Sequence, residues 1–219
     1  MEKPSGWVSV DALARARAAV FDFDGTLVDS NPIKARAFER CFSGLTARRD
    51  EVLAYCCANH HVPRGEKFRH VYERILEQPY TPEIARRLHE QFEAETAGPV
   101  IQAPTVPGAL EFLAAIGRSR VTGVLSSTPH EVLVRILEGR GWQGYFRHVQ
   151  GAPVNKARWL AQFQAQEGLA GDELAFFGDT DEDEAAARAA GCGFIRVGRP
   201  STGGQAWCVP DFRPLVEQL

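Results

Sequence analysis

The chain has 219 residues, of which 44% are hydrophobic and 24% charged, as in folded globular proteins rather than disordered ones. Its 25 Lys and Arg residues and 28 Asp and Glu residues give a net charge of −3, which argues against binding to nucleic acid or to an anionic membrane. The longest apolar run, Val52–Ala58, is far shorter than the ~20 residues needed to span a bilayer. Charges in residues 1–20 leave no uncharged signal-peptide core, and the five cysteines form no Cys-x-x-Cys pair. We therefore expect a cytoplasmic protein with reduced, packed thiols.

The first half of the chain predicts one strand followed by a block of helices. The apolar residues 18–21 form a short buried strand that ends at an Asp-x-Asp-Gly turn. Residues 31–98 then carry apolar side chains at helical spacing without β-branched runs. This pattern predicts four helices, broken near Gly44, residues 60–65 and residues 78–82.

The second half alternates strands with helices after a predicted connector at residues 98–99 and 103–107. The predicted helices are 107–117, 130–140, 156–167 and 183–190, and the predicted strands are 121–127, 145–149, 174–177 and 194–197. Strands that alternate with helices form a parallel sheet covered by helices on both faces. The fold class is therefore predicted as α/β, with the helical block inserted after the first strand.

Several chemically active side chains follow the predicted strands. Asp22, Ser126 and Asp179 lie at strand ends, Lys156 opens a helix, and Asp24 follows Asp22 by two residues in a glycine turn. Parallel sheets bind ligands at the carboxyl ends of their strands, so we expect these side chains to face one cleft. Individually, each has an ordinary explanation: an acid that caps a turn, a hydroxyl that satisfies a turn, or a solvated lysine. Their shared location favours a site.

The acidic run at residues 179–184 is the most informative segment. Five acids in six positions repel one another unless a cation or solvent relieves the charge. An EF-hand is excluded because its sixth position would be Glu184 instead of Gly, and its twelfth Ala190 instead of Glu. The helix dipole explains Glu182 at a helix N-terminus. It does not explain Asp179, which precedes the helix at the end of a buried strand.

Together these segments resemble the four-motif signature of the haloacid dehalogenase superfamily. The segment Asp22–Ser30, then Ser126, Lys156 and the Gly-Asp-x-x-x-Asp motif at residues 178–183 follow the family's order. The resemblance covers nearly the whole of residues 18–197 and is to the subgroup with a helical C1 cap, which includes phosphoglycolate phosphatase-like and β-phosphoglucomutase-like proteins. It implies a Rossmann-like parallel-sheet core domain formed by residues 1–30 and 104–219. The inserted all-helical cap domain would comprise residues 31–103.

The resemblance also implies phosphoryl transfer through an aspartyl-phosphate. Asp22 would be the nucleophile, and Asp24 would protonate the leaving alkoxide and later deprotonate the hydrolytic water. Dehalogenases and phosphonatases lack the second acid, so its presence favours phosphate ester chemistry. The expected activity is that of a Mg²⁺-dependent phosphatase, a hydrolase acting on a small phosphate monoester.

Binding roles follow from the same resemblance and from charge. A phosphate dianion repels a carboxylate nucleophile, so the site needs cations. Mg²⁺ would be held by the Asp22 and Asp179 carboxylates and by the Asp24 backbone carbonyl, with Asp183 orienting the metal's second shell. The phosphate would be bound by Ser126, Ser127 and Lys156. Ser127 departs from the family pattern, in which Asn is common at this position.

Two alternatives remain from the sequence. A phosphomutase of the same fold, like β-phosphoglucomutase, would differ only in its cap contacts. A non-catalytic phospho-acceptor signalling or binding module is a more distant alternative, because receiver domains lack a large helical insertion and Asp22 and Asp24 are both intact.

The substrate-selecting residues are predicted in the polar, basic segment 59–67, a candidate lid loop. Arg64 and Lys67 are the candidates for substrate selection, whereas His60 and His61 have an ordinary explanation in loop solvation. The expected partner is a small phosphorylated metabolite, with no nucleic acid and no membrane. The expected state is a monomer or a small homo-oligomer.

Overall fold

The computed structural model of the chain divides into two compact units. The core unit contains the described residues up to Asp29 and those from Pro104 onward, and the helical unit is Ser30–Ala103. Within the described part of the chain, no helix has the length and apolar character required to cross a membrane. The residues described are Leu13, 15–59, 62–200 and 207–218.

The core unit is built on a parallel sheet, which confirms the predicted fold class. Its strands are β1 (Ala18–Phe21), β2 (Val121–Pro129), β3 (His148–Ala152), β4 (Leu174–Gly178), β5 (Gly193–Val197) and β6 (Trp207–Val209). They are ordered β3-β2-β1-β4-β5-β6, and every pair of neighbours runs parallel. The first strand in the chain is therefore central, with β2 and β4 on its two sides.

Helices connect these strands and cover the sheet. In the core unit they are α5 (Ala109–Ile116), α6 (His130–Gly139), α7 (Lys156–Glu167), α8 (Asp181–Ala190) and α9 (Arg213–Val216), with 3₁₀ turns at Gln143–Tyr145 and Gly171–Glu173. In the helical unit they are α1 (Asn31–Cys41), α2 (Arg49–Ala58), α3 (Arg64–His70) and α4 (Pro82–Gln102), with a π-helical turn at Val71–Ile75.

Apolar burial on both faces explains why β1 is the middle of the core unit. All four of its side chains are fully buried. Val20 packs on one face with Leu125 and Phe176. On the other face, the rings of Phe21 and Phe177 stack with centroids 4.7 Å apart. Neither face of this strand is exposed to solvent, as expected for a parallel sheet covered by helices.

The helical unit has an aromatic core of its own. The ring centroid of Phe38 lies 4.7 Å from that of Phe92 and 5.6 Å from that of Phe68. All three rings are buried. Four helices were predicted here, and α1 to α4 confirm them among the described residues. All five cysteines of the chain are free thiols, and Cys57 is exposed rather than packed as expected.

The predicted connector at residues 98–99 was wrong, because α4 continues through Pro99 to Gln102. Proline removes one backbone hydrogen bond from a helix. Thr96 and Val100, on either side of it, are buried, so their packing holds the helix together across the proline. Residues 103–107 are non-helical, as predicted.

Two other predicted segments also differ in their bounds from the structure. The segment 59–67 was predicted as a loop, but α3 begins at Arg64, and His60 and His61 lie outside the described residues. The third strand was predicted at residues 145–149 and lies at His148–Ala152, where it pairs with β2.

The two segments of the core unit that flank the helical insertion, ending at Asp29 and resuming at Pro104, lie side by side. Val28 and Thr105 form an isolated antiparallel β-bridge. Next to this bridge, the backbone N–H of Asp29 donates to the carbonyl of Pro104 at 2.9 Å. The two ends of the insertion are therefore tied together by backbone hydrogen bonds.

Candidate active site

The candidate site lies at the carboxyl ends of the three central strands. Asp22 follows β1, and its backbone N–H donates to the carbonyl of Phe177 in β4 at 2.8 Å. Ser126 belongs to the other neighbouring strand, β2, and Asp179 follows β4. The strand order thus brings residues from distant parts of the sequence to one edge, the edge where such sheets bind ligands.

A glycine turn carries the second acid of the pair. Gly25 adopts a φ of +83°, which side-chain-bearing residues rarely do, and its N–H donates to the carbonyl of Val28 at 2.8 Å. The turn leaves the Asp24 carboxylate facing β2. There its Oδ2 accepts hydrogen bonds from the hydroxyls of Thr128 at 2.8 Å and Ser126 at 3.3 Å.

Thr128 was not among the predicted site residues. It contacts Asp24 because β2 extends to Pro129, two residues beyond the predicted end at residue 127. The Thr128 N–H also donates to Ser126 Oγ at 3.0 Å. Ser127 lies between them and is half-buried. The sequence signal that could have indicated Thr128 is the run of three hydroxyl side chains at residues 126–128.

Lys156 joins two of the acids. Its Nζ donates to Asp22 Oδ1 at 2.7 Å and to Asp183 Oδ1 at 2.6 Å. The lysine is the first residue of α7, where the Asn155 side chain caps the helix by accepting from the Arg158 N–H at 2.9 Å. The cap fixes where the helix begins and therefore where the lysine side chain starts.

Asp183 is held in place by its own helix start. Thr180 and Asp183 form a reciprocal capping box at the N-terminus of α8, and the Asp183 side chain is almost fully buried. A Cβ on Gly178 would lie only 2.5 Å from the Asp183 Cβ, so this position requires glycine. The helix was predicted to begin at residue 183 but begins at Asp181, because Thr180 is the cap.

Burial and crowding govern the ionisation of these groups. Burial raises the pKa of Asp22 well above its usual range, and the nearby Asp183 and Asp179 add to that rise against the opposing effect of Lys156. Burial, with Asp183, likewise raises the pKa of Asp179 to about 6. Burial acts to lower the pKa of Lys156, but the Asp22 and Asp183 carboxylates outweigh it and hold that pKa above its usual range. The lysine is therefore a permanent cation facing excess negative charge.

The acids fit a divalent cation. Asp22, Asp179 and Asp183 each offer a carboxylate oxygen, and the three oxygens lie within 4.8 Å of one another. An all-oxygen, partly buried set is the type that Mg²⁺ prefers. Both Asp183 oxygens already accept hydrogen bonds, from Lys156 and from Thr180. Its predicted second-shell role stays a prediction, as do the ligand roles of Asp22, Asp179 and the Asp24 carbonyl.

The two predicted selectivity residues lie inside the helical unit. Lys67 is 3% exposed, its Nζ donates to the Cys56 carbonyl at 3.3 Å, and it lies 4.8 Å from the centre of the Phe38 ring. Arg64 is also largely buried, and its Nε donates to His89 Nδ1 at 3.1 Å. Neither residue belongs to an exposed loop, and their roles in substrate selection stay predictions.

The burial of Lys67 predicts a specific pH dependence of stability. Burial lowers the pKa of Lys67 from 10.5 to about 8. Between these two values the unfolded chain holds a proton that the folded protein has lost, so stability rises with pH across that window. Methionine does not titrate, so only wild type gains stability in this way. The difference in free energy of unfolding between Lys67→Met and wild type should therefore change by about 3 kcal/mol in favour of wild type between pH 7 and pH 10.5. Urea unfolding of both proteins measures the difference, and a pH-independent gap would contradict it.

Comparison with known proteins identifies the family. The family model described as haloacid dehalogenase-like hydrolase matches residues 16–191. The chain belongs to this family. The hydrolase is 30% identical over 208 residues to a phosphoglycolate phosphatase of Synechococcus elongatus, covering 91% of this chain and 88% of that protein. It is also 30% identical over 184 residues to a phosphoglycolate phosphatase of Yersinia pestis, covering 80% and 78%.

Solved structures agree on the fold of the hydrolase. A predicted phosphoglycolate phosphatase from Haemophilus somnus superposes with a TM-score of 0.74 at 20% identity, covering 93% of this chain and 98% of that one. CbbY from Rhodobacter sphaeroides, in complex with phosphate, gives a TM-score of 0.72 at 15% identity, covering 91% and 96%. The predicted superfamily resemblance and the predicted hydrolase class are confirmed.

Proposed function

We propose that this hydrolase is a Mg²⁺-dependent phosphatase that cleaves a small organic phosphate monoester through a phosphorylated Asp22. The observation that carries the proposal is the pairing of Asp22 with the Lys156 ammonium at 2.7 Å, beside a second acid, Asp24, held by two hydroxyls. The names of the two relatives described above, both phosphoglycolate phosphatases, support the same chemistry.

The first step forms one bond and breaks one. A carboxylate oxygen of Asp22 attacks phosphorus, and the bond from phosphorus to the ester oxygen breaks. Lys156 hydrogen-bonds Oδ1, while Oδ2 accepts no hydrogen bond from a described residue, so we assign Oδ2 as the nucleophile. Asp24 gives its proton to the departing alkoxide, which leaves as an alcohol.

The second step regenerates the enzyme. Asp24, now a carboxylate, takes a proton from water, and the water oxygen attacks phosphorus of the aspartyl-phosphate. The bond between phosphorus and Asp22 breaks and inorganic phosphate leaves. The Thr128 hydroxyl holds the Asp24 carboxylate near the reacting groups through both steps.

Positive charge and hydrogen-bond donors bind the transferred phosphoryl group. Lys156 offers a fixed ammonium, and Ser126 and Ser127 offer hydroxyls at the end of β2. Ser126 Oγ donates to Asp24 in this structure, so phosphate binding would exchange that bond for one to a phosphate oxygen. Asp22, Asp179 and the Asp24 carbonyl would hold Mg²⁺, which when bound supplies the positive charge that offsets repulsion between the phosphate and the carboxylates.

A phosphatase is favoured over a mutase by the sequence relatives. The relatives from Synechococcus elongatus and Yersinia pestis, each 30% identical to this chain, both carry the name of a phosphatase. Phosphoglycolate is therefore the first substrate to test. Phosphate release should be screened over phosphoglycolate, sugar phosphates and nucleotides, with isomerisation of sugar phosphates measured in parallel with and without a sugar bisphosphate. Isomerisation without net phosphate release would contradict the proposal.

Activity should disappear on chelation and return with Mg²⁺ but not with Ca²⁺. Mg²⁺ demands short bonds and near-octahedral geometry, whereas Ca²⁺ takes longer bonds and more ligands, so it can hold both Asp22 oxygens and remove the nucleophile. Phosphate release by chelated protein, titrated with each ion alone and with Ca²⁺ in the presence of Mg²⁺, measures this. Full activity after exhaustive chelation would contradict metal dependence.

A further inference from the structure

Arg196 in β5 is a buried cation that none of the sequence motifs includes. Its side chain is 4% exposed. Nη1 donates to the backbone carbonyl of Asp179 at 2.8 Å. Nη2 donates to Asp181 Oδ1 at 2.6 Å and to Glu184 Oε2 at 3.0 Å. One guanidinium therefore bridges Asp179, two residues before α8, and two acids in the first turn of that helix.

The strand register explains how Arg196 reaches this loop. Arg196 pairs with Gly178 across β5 and β4, and Asp179 is the next residue in the chain. From the other side, the Thr26 hydroxyl donates to Asp179 Oδ1 at 3.2 Å. Asp179 is thus held twice: at its carbonyl by Arg196 and at its carboxylate by Thr26.

Stability alone does not account for this arginine. Burying a guanidinium carries a desolvation cost, and replacing a buried ion pair with apolar side chains is often neutral or stabilising. Arg196 Nε is also buried with no hydrogen-bond partner among the described residues. Glu184, its buried partner, is bonded as well by Arg188 at 3.1 Å at the surface. Among these contacts, Glu184 has a second cationic partner and the Asp181 side chain is exposed, so the buried bond that depends on Arg196 is the one to the Asp179 carbonyl.

We propose that Arg196 is a positioning residue that fixes Asp179 for cation binding. The inference rests on the proposed function, in which the Asp179 carboxylate is a ligand of Mg²⁺. Fixing the backbone of Asp179 limits the directions that its carboxylate can take. Partners that orient ligands in this way typically contribute roughly 10–100-fold to metal affinity.

The test separates positioning from ion pairing. In Arg196→Met with Glu184→Leu, both buried charges are removed together, so neither is left unpaired, while the bond to the Asp179 carbonyl is lost. Calorimetric titration of the metal-free protein with Mg²⁺ should show a Kd raised about 10–100-fold. The melting temperature without metal should stay close to that of wild type. Turnover should fall at low Mg²⁺ and recover largely at saturating Mg²⁺.

Two further variants calibrate the result. Arg188→Met removes an exposed partner of Glu184 and keeps the bond from Arg196 to the Asp179 carbonyl, so it should bind Mg²⁺ as wild type does. Arg196→Lys keeps the positive charge, but the lysine ammonium lacks the planar set of N–H donors with which the guanidinium bonds three acceptors. Its Kd for Mg²⁺ should therefore lie between those of wild type and the double variant.

The outcomes are distinct. A double variant that folds and binds Mg²⁺ within twofold of wild type, with wild type itself binding, overturns the positioning role and leaves the proposed function standing. Absence of Mg²⁺ binding by wild type overturns the metal-dependent function and, with it, the inference. A raised Kd in both the double variant and Arg188→Met to the same extent would assign the effect to Glu184 and overturn the role of Arg196.

Discussion

Asp22→Asn should lower turnover by at least about 10⁴-fold while the protein stays folded. An amide does not attack phosphorus, and it also removes one of the carboxylates that would hold the cation. The fold should tolerate the change because burial and neighbouring acids already disfavour ionised Asp22. Lys156 also keeps its bond to Asp183 in the variant. Phosphate release at saturating substrate and Mg²⁺ measures the effect.

Asp29→Asn is the matched control for this variant. It makes the same chemical change in the same segment, at an exposed residue outside the site. Circular dichroism and thermal unfolding should show both variants folded, with near wild-type turnover for Asp29→Asn only. Turnover by folded Asp22→Asn within tenfold of wild type would rule out Asp22 as the nucleophile.

Asp24→Asn should slow the hydrolysis of an alkyl phosphate and of an aryl phosphate to different extents, although wild type hydrolyses both by one mechanism. An alkyl phosphate needs a proton on its leaving oxygen, whereas nitrophenolate departs without one. The first step should therefore slow about 10²–10⁴-fold for an alkyl phosphate and far less for p-nitrophenyl phosphate. Loss of the base slows the second step for both, so the aryl ester should give a burst of nitrophenol followed by slow turnover.

Rapid-quench kinetics with both esters measures this, and wild type supplies the comparison. Thr128→Val is a second comparison, because it removes the 2.8 Å hydrogen bond to Asp24 but leaves the carboxylate present. It should slow both steps mildly without a burst. Equal slowing of both esters by Asp24→Asn, with no burst, would show that Asp24 is structural and takes no part in proton transfer.

Sequence patterns predicted the elements whose signals are local. Helix α7 has its predicted bounds, Lys156–Glu167, because an Asn cap precedes it and Gly168 with φ +62° ends it. The apolar run at residues 18–21 was identified as a buried strand for a similar reason: its burial on both faces leaves no polar position in it.

Contacts between distant segments were the part that sequence reasoning missed. Pro99 appeared to end a helix, but packing of the residues beside it outweighs the lost hydrogen bond. Thr128 becomes a partner of Asp24 only because β2 continues past the predicted strand end. Arg196 lies in a strand that was predicted, but its partners depend on which strand pairs with β5, and the sequence does not state that order.

The joined ends of the insertion bear on how proteins with this core can diversify. Because the Asp29 N–H and the Pro104 carbonyl close the gap directly, the core unit is continuous whatever stretch of chain lies between them. The helical unit carries its own hydrophobic centre and does not need to supply any to the sheet. Mutations and insertions can therefore accumulate in the helical unit, or the whole unit can be replaced, while the core unit keeps its residues. In an engineered protein, the same junction is the natural place to graft a foreign helical unit onto this core unit.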